Sequence, residues 1–228
     1  MPTAHDAVFL IDVDNTLLDN DRVVADMMRY LEAEVGHERQ QRYWAIFEDL
    51  RKELGYADYL GALQRYRVEN PRDSHLLAVS SFLVNYPFAN RLFPNSLDAL
   101  ERFRQWGPVV ILSDGDVVFQ PRKIERSGLQ EAVDSNILIY VHKELELEDV
   151  ERRYPAEHYV LVDDKVRILD AVKKSWGDRV TTVFPRQGHY ARDEKEVAKY
   201  RKPDVAVERI GDLADADLAS LRAATGQA

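Results

Sequence analysis

The chain has 228 residues, no cysteine, 45% hydrophobic and 31% charged residues, and a formal net charge of −9. The lack of cysteine excludes disulfides, thiolate catalysis and cysteine-ligated zinc or iron–sulfur sites, and the acidic balance disfavours non-specific binding to nucleic acid or anionic membrane. No apolar run approaches the roughly 18 residues of a membrane helix and no secretory leader pattern opens the chain, so a soluble cytoplasmic protein is expected.

The first element is an apolar run at residues 8–11 that ends in Asp12-Val13-Asp14-Asn15-Thr16. A buried strand followed at once by Asp-x-Asp puts two carboxylates at the carboxyl edge of a sheet, where open α/β proteins keep their chemistry. If the strand continued, its period of two would aim both side chains one way and crowd two like charges. A cation between them, or a retained proton, would relieve that crowding.

Residues 20–89 then read as helical throughout. Val23, Met27, Tyr30, Leu31 and Val35 recur at helical spacing, as do Tyr43, Ile46, Phe47, Leu50 and Leu54. Residues 57–69 and 74–86 make two further helices, the second nearly apolar and therefore expected to be buried. Asn70-Pro71 and Tyr86-Pro87 mark boundaries, because the residue before proline disfavours helix.

From residue 93 the pattern alternates. Helices are predicted at residues 94–106, 122–129, 147–154, 166–176 and 212–224, and strands at 109–112, 137–141, 159–162, 180–184 and, as an edge, 205–207. Residues 224–228 are expected to fray. Short apolar strands alternating with helices imply right-handed crossovers and a parallel sheet covered on both faces. The expected fold is α/β: a Rossmann-like parallel sheet core with helices on both faces, formed by residues 1–19 and 90–228, plus an inserted all-helical cap at residues 20–89.

The strand ends collect a specific chemistry. Asp12 and Asp14 close the first strand, Ser113-Asp114-Gly115 the second, His142-Lys143 the next, and Asp163-Asp164-Lys165 the one after. Among them Asp12, Asp14, Asp163 and Asp164, with Lys143 and the Ser113 hydroxyl, suit a hard divalent cation such as Mg²⁺ and a phosphoryl group. A carboxylate can attack phosphorus, and a second acid can move the proton. Taken singly, Ser113-Asp114-Gly115 reads as a turn, Lys143 as a solvated cation and Asp163-Asp164 as a helix start. Arg122, Lys123 and Arg126 read as a solvated helix face. The aromatic and cationic residues of the insertion, among them Trp44, Tyr56 and Tyr59, read as bundle core and surface. Gln187 to Tyr190 form a loop near the site edge without a specific role. The six histidines lack short ligand spacing, so zinc is not indicated.

With these residues in this order the chain resembles the haloacid dehalogenase-like hydrolases, mostly phosphatases. DVDNT carries the first motif, Ser113 in VVILSDGD the second, Lys143 in YVHKE the third, and Asp163-Asp164 in VLVDDK the fourth. The resemblance implies Asp12 as nucleophile and Asp14 as general acid/base. It implies Mg²⁺ held by Asp12, the Asp14 backbone carbonyl and Asp164, with Asp163 assisting. Ser113, Lys143 and the Asp114-Gly115 segment would bind phosphate. Asp114 stands where relatives often carry Asn, so its carboxylate is expected to turn away. The implied function is a Mg²⁺-dependent phosphatase for a small phosphorylated metabolite, acting through an aspartyl-phosphate, under a helical cap that selects substrate. A phosphomutase of the same fold, or a noncatalytic binding protein retaining it, is the alternative. Asp14 argues against dehalogenase activity.

Overall fold

The computed structural model describes residues 4–225, so the tail expected to fray lies outside it from residue 226 onward. Its strands are β1 (His5–Ile11), β2 (Val109–Asp114), β3 (Ile137–Tyr140), β4 (Ala156–Val162), β5 (Val180–Pro185) and β6 (Val205–Val207). They form one six-stranded sheet in the order β3-β2-β1-β4-β5-β6, parallel throughout. The register pairs Phe9 with Val109 on one side and with Val160 on the other.

Alternation along the strands supplies two cores. Phe9, Ile11, Val109, Ile111, Val160 and Val162 face one side, and Val8, Leu10, Val110, Leu112, Tyr159 and Leu161 the other. A strand buried on both faces must be apolar at every position, which is why these runs show no polar alternation. Helices α1 (Asn20–Val35), α2 (His37–Leu54), α3 (Tyr59–Glu69) and α4 (Leu76–Asn85) follow β1 directly. Helices α5 (Ser96–Arg104), α6 (Phe119–Arg126) and α7 (Leu129–Ala132) then contribute Ala99, Leu100, Phe103, Ile124 and Leu129 to the first core. Helices α8 (Leu147–Arg153) and α9 (Val166–Trp176) cover the second with Val150, Ile168, Leu169 and Val172. The chain closes with α10 (Gly188–Arg192), α11 (Glu194–Val197) and α12 (Leu218–Ala223).

The insertion is all-helical, as its periodicity requires. Asp19 caps α1 by accepting from the Arg22 N–H at 2.9 Å, and Val23, Met27 and Leu31 face inward. Left-handed Gly55 ends α2, and Asp58 caps α3. Phe47 stacks on Tyr59 at 4.6 Å, and Tyr59 meets Phe119 at 5.2 Å in a tilted contact that joins the insertion to α6 of the core.

Three expectations change. Helix α4 buries only the stripe of Val79 and Leu83, leaving Leu77 at 78% exposure, because it packs through one face at the outside of the bundle. Residues 212–224 are not one helix. A 3₁₀ segment, Ile210–Asp215, stops before α12, and Asp217 caps the restart through the Ser220 N–H at 3.0 Å. The run at 122–129 breaks at left-handed Gly128 into α6 and α7. Among the described residues, no helix is long and apolar enough to cross a membrane.

Candidate active site

The sheet order reverses direction at β1, so crossovers leave on opposite faces and open a crevice at the carboxyl ends of β1, β2 and β4. Strand β1 ends at Ile11, and the chain then coils. The Val13 carbonyl accepts from the Leu17 and Leu18 amides, and Asn15 adopts φ 61°, a left-handed conformation that asparagine tolerates. Asn15 also brackets Asp21 at the start of α1, donating from Nδ2 at 3.0 Å and accepting the Asp21 N–H at 3.1 Å. The coil therefore separates Asp12 from Asp14, and the expected crowding of the two does not occur. Each carboxylate faces a lysine of its own.

Asp12 is buried. Its Oδ1 accepts from Lys143 Nζ at 2.5 Å and its Oδ2 from Thr16 Oγ1 at 3.2 Å. The same lysine lies 2.7 Å from Asp163 Oδ2 and donates to the Leu112 carbonyl at 3.1 Å. Lys143 is fully buried; burial alone would lower its pKa, but the charges of Asp12, Asp163 and Asp114 outweigh that and raise it. It is thus a fixed cation between two carboxylates.

Asp12, Asp163 and Asp164 form a buried cluster whose oxygens lie within 4.8 Å of one another. Asp163 Oδ1 accepts the Lys165 N–H at 2.8 Å, and the Asp164 N–H donates to Thr16 Oγ1 at 3.1 Å. Both carboxylate oxygens of Asp164 are buried without a hydrogen-bond partner. Burial, with the neighbouring Asp12 charge added and Lys143 opposing, pushes Asp163 up to about 6. Burial likewise raises Asp164 well above the carboxylate range against the pull of Lys165, with Asp163 and Asp12 adding to the rise. Orphaned buried carboxylate oxygens are costly. A hard divalent cation with oxygen ligands fits this donor set, since it would satisfy those oxygens and neutralise the cluster.

Asp14 stands apart from that cluster, its carboxylate gripped by Lys123 Nζ at 2.6 and 2.8 Å. Lys123 also donates to Asn20 Oδ1 at 3.1 Å and is only 1% exposed, so the solvated-face reading is wrong for this residue. Its place on α6 beside Phe119, Gln120 and Ile124 puts it on the buried face. Apolar Phe119 and Ile124 flank it at helical spacing, a signal visible in the sequence. Arg122 and Arg126 donate instead to carbonyls at the end of the helical insertion, Val84, Asn85 and Tyr86.

Ser113 Oγ is buried and accepts from Gln120 Nε2 at 2.9 Å. Asp114 Oδ1 accepts the Lys143 N–H at 2.8 Å, and the residue lines the cavity. Gly115 lines the cavity, but its N–H donates to the Tyr140 carbonyl at 3.1 Å and is not free for an anion.

Above these residues lies a cavity of about 610 Å³ bounded by core and insertion. Asp14, Asp114 and Lys123 line its floor, and Trp44, Phe47 and Tyr56 its insertion side. The loop at 187–190, read as roleless, forms the start of α10 and contributes His189 and Tyr190 to the wall. Gly188 sits there at φ 70°, where a Cβ would lie 2.4 Å from Asn15 Cβ, so glycine is required for this close approach.

Comparison with known proteins agrees with this geometry. Residues 7–175 match the family model for haloacid dehalogenase-like hydrolases. The crystal structure of a haloacid dehalogenase-like hydrolase from Burkholderia xenovorans LB400 is 63% identical, with a TM-score of 0.89 over 93% of this chain and 99% of that one. The HAD-hydrolase YfnB from Bacillus subtilis, crystallised bound to magnesium, is 17% identical with a TM-score of 0.60 over 92% and 97% of the two chains. The L-2-haloacid dehalogenase from Xanthobacter autotrophicus with chloropropionic acid covalently bound is 18% identical, TM-score 0.59, over 92% and 97%. A search of curated proteins returned no match.

Proposed function

The chain belongs to the haloacid dehalogenase-like hydrolase family, and from that premise we propose that it is a Mg²⁺-dependent phosphatase acting on a phosphate monoester of a small metabolite. The observation that carries this reading is Asp14. It faces the cavity two residues beyond the Asp12 nucleophile and is held there by Lys123. A halide departs as a stable anion and needs no proton, whereas an alkoxide leaving phosphorus does. A proton-handling carboxylate at this position therefore suits phosphoester cleavage. The magnesium found with YfnB and the orphaned oxygens of Asp164 support a metal in the same cluster.

Asp12, oriented by Thr16 and Lys143, attacks phosphorus through its carboxylate and forms the aspartyl-phosphate as the P–O bond to the leaving group breaks. Asp14, held in place by Lys123, protonates the departing oxygen. The same group then takes a proton from the water that attacks the aspartyl-phosphate, releasing phosphate and restoring Asp12. Lys143 and the Ser113 hydroxyl flank the position of the phosphoryl oxygens and offset their charge. Asp12, Asp163 and Asp164 would hold Mg²⁺, which would supply the charge neutralisation that a carboxylate needs to approach an anionic phosphoryl group. The helical insertion roofs the cavity and limits bulk water at the acyl phosphate.

Phosphate release from a panel of phosphorylated metabolites, with Mg²⁺ or with chelator, tests the reading. Release that requires Mg²⁺ and disappears in Asp12→Asn is expected. Chloride release from 2-chloropropionate without phosphatase activity would overturn it.

A further inference from the structure

Most charged side chains lining the cavity are held by a partner at hydrogen-bond distance. Asp14 meets Lys123, Asp21 meets His189, Glu196 meets Lys199, Arg167 meets Glu144, and Asp114 accepts the Lys143 N–H. Lys165, at the start of α9, has no carboxylate in ion-pair contact among the described residues. Its ammonium lies 5.4 Å from the centroid of the Tyr190 ring.

A second cation meets the same ring from the insertion. The Arg51 guanidinium carbon is 6.0 Å from the Tyr190 centroid, and Arg51 Nη2 donates to the Tyr190 hydroxyl. Among the described residues its ion-pair partner is Glu48, a turn earlier on α2, at 3.6 Å and outside hydrogen-bond range. Two cations of separate origin thus converge on one aromatic wall residue in a cavity far larger than a phosphoryl group needs. The charges of Asp12, Asp164 and Asp163 act on Lys165 from the cluster beside it, but among the described residues neither cation has a carboxylate at hydrogen-bond distance, so each keeps donors for an anion in the cavity.

We propose that Lys165 and Arg51, with Tyr190 between them, form a recognition site for a second anionic group on the leaving portion of the substrate. The substrate is then a phosphate monoester that also carries a carboxylate or a further phosphoryl group. Because Arg51 belongs to the insertion and Lys165 to the core, such an anion ties the two together over the reacting phosphorus. This assignment rests on the phosphatase reading and narrows its substrate class.

Steady-state kinetics with Mg²⁺ test it, using para-carboxyphenyl phosphate against its neutral isostere para-carbamoylphenyl phosphate, and the corresponding meta pair to vary reach. The wild type should prefer the acid over the amide in kcat/KM in at least one pair. Lys165→Met and Arg51→Met should each erode that preference by on the order of 10- to 100-fold, chiefly through KM, the range of one charge-assisted hydrogen bond. Arg51 is 37% exposed, so its variant reports even if Lys165→Met folds poorly. An unbiased wild type in both pairs overturns the proposal. So does equal loss on acid and amide, which would place Lys165 on the transferred phosphoryl group. Failure of the wild type to release phosphate from any of the esters overturns the phosphatase reading itself, and this proposal with it.

Discussion

At the scale of single residues the site is a partition of charge between two lysines. Lys143 serves Asp12 and Asp163, while Lys123 serves Asp14. Asp12→Asn keeps the Thr16 and Lys143 contacts but removes the nucleophile, so it should abolish turnover while the circular dichroism melt stays cooperative. Asp14→Asn should lower kcat by about 10² to 10⁴-fold, the usual worth of positioned proton transfer, with a smaller effect on KM. Lys143→Met leaves a buried carboxylate cluster uncompensated and should cost about 3–5 kcal/mol in chemical denaturation. Added Mg²⁺ should recover part of that loss, whereas a purely packing role for Lys143 would give none. The motif acids and Lys143 were legible in the sequence because strand-end carboxylates in that order have few other uses. Lys123 and Lys165 were not. Lys123 could be recognised only by following the apolar face of α6, and Lys165 only once the fold set the Tyr190 ring of α10 near its ammonium.

At the scale of elements, every strand of the sheet could be read from its short run of apolar and β-branched residues, because strands covered on both faces are mostly apolar. The helical insertion was legible because its apolar residues recur at helical spacing on one face. Failures came where a helix buries only a narrow stripe, as at α4, or where a side-chain cap restarts the chain, as Asp217 does before α12. The α10 segment was missed because its sequence shows no apolar period, and its position is fixed by contact instead. Gly188 lies against Asn15, so this segment props the loop that carries Asp14. Gly188→Ala should destabilise the fold by about 1–3 kcal/mol through backbone strain. It should also lower kcat, because the added methyl displaces Asn15; a variant with wild-type kcat would show the two loops to be independent.

At the scale of the whole molecule the sheet gathers Asp12, Asp163 and Asp164 into a volume that the chain alone does not neutralise. In the metal-free protein the raised pKa values of Asp163, about 6, and Asp164 mean that the folded state holds protons the unfolded chain would release at about pH 4. That contribution to stability is complete below the unfolded value and is lost as pH rises through the folded one. Mg²⁺ replaces those protons, so the rise in Tm it confers should be small near about pH 5 and larger near about pH 8. A rise independent of pH across that window would place the cation elsewhere. The most direct measurement is a crystal structure of the protein grown with Mg²⁺ and beryllium fluoride, which mimics a phosphoryl group on a carboxylate. The account predicts fluoroberyllate on the Asp12 carboxylate, Lys143 in contact with it, and the metal bridging Asp12 and Asp164. Clear density for an unmodified Asp12, with no metal between it and Asp164 at saturating Mg²⁺, would contradict it.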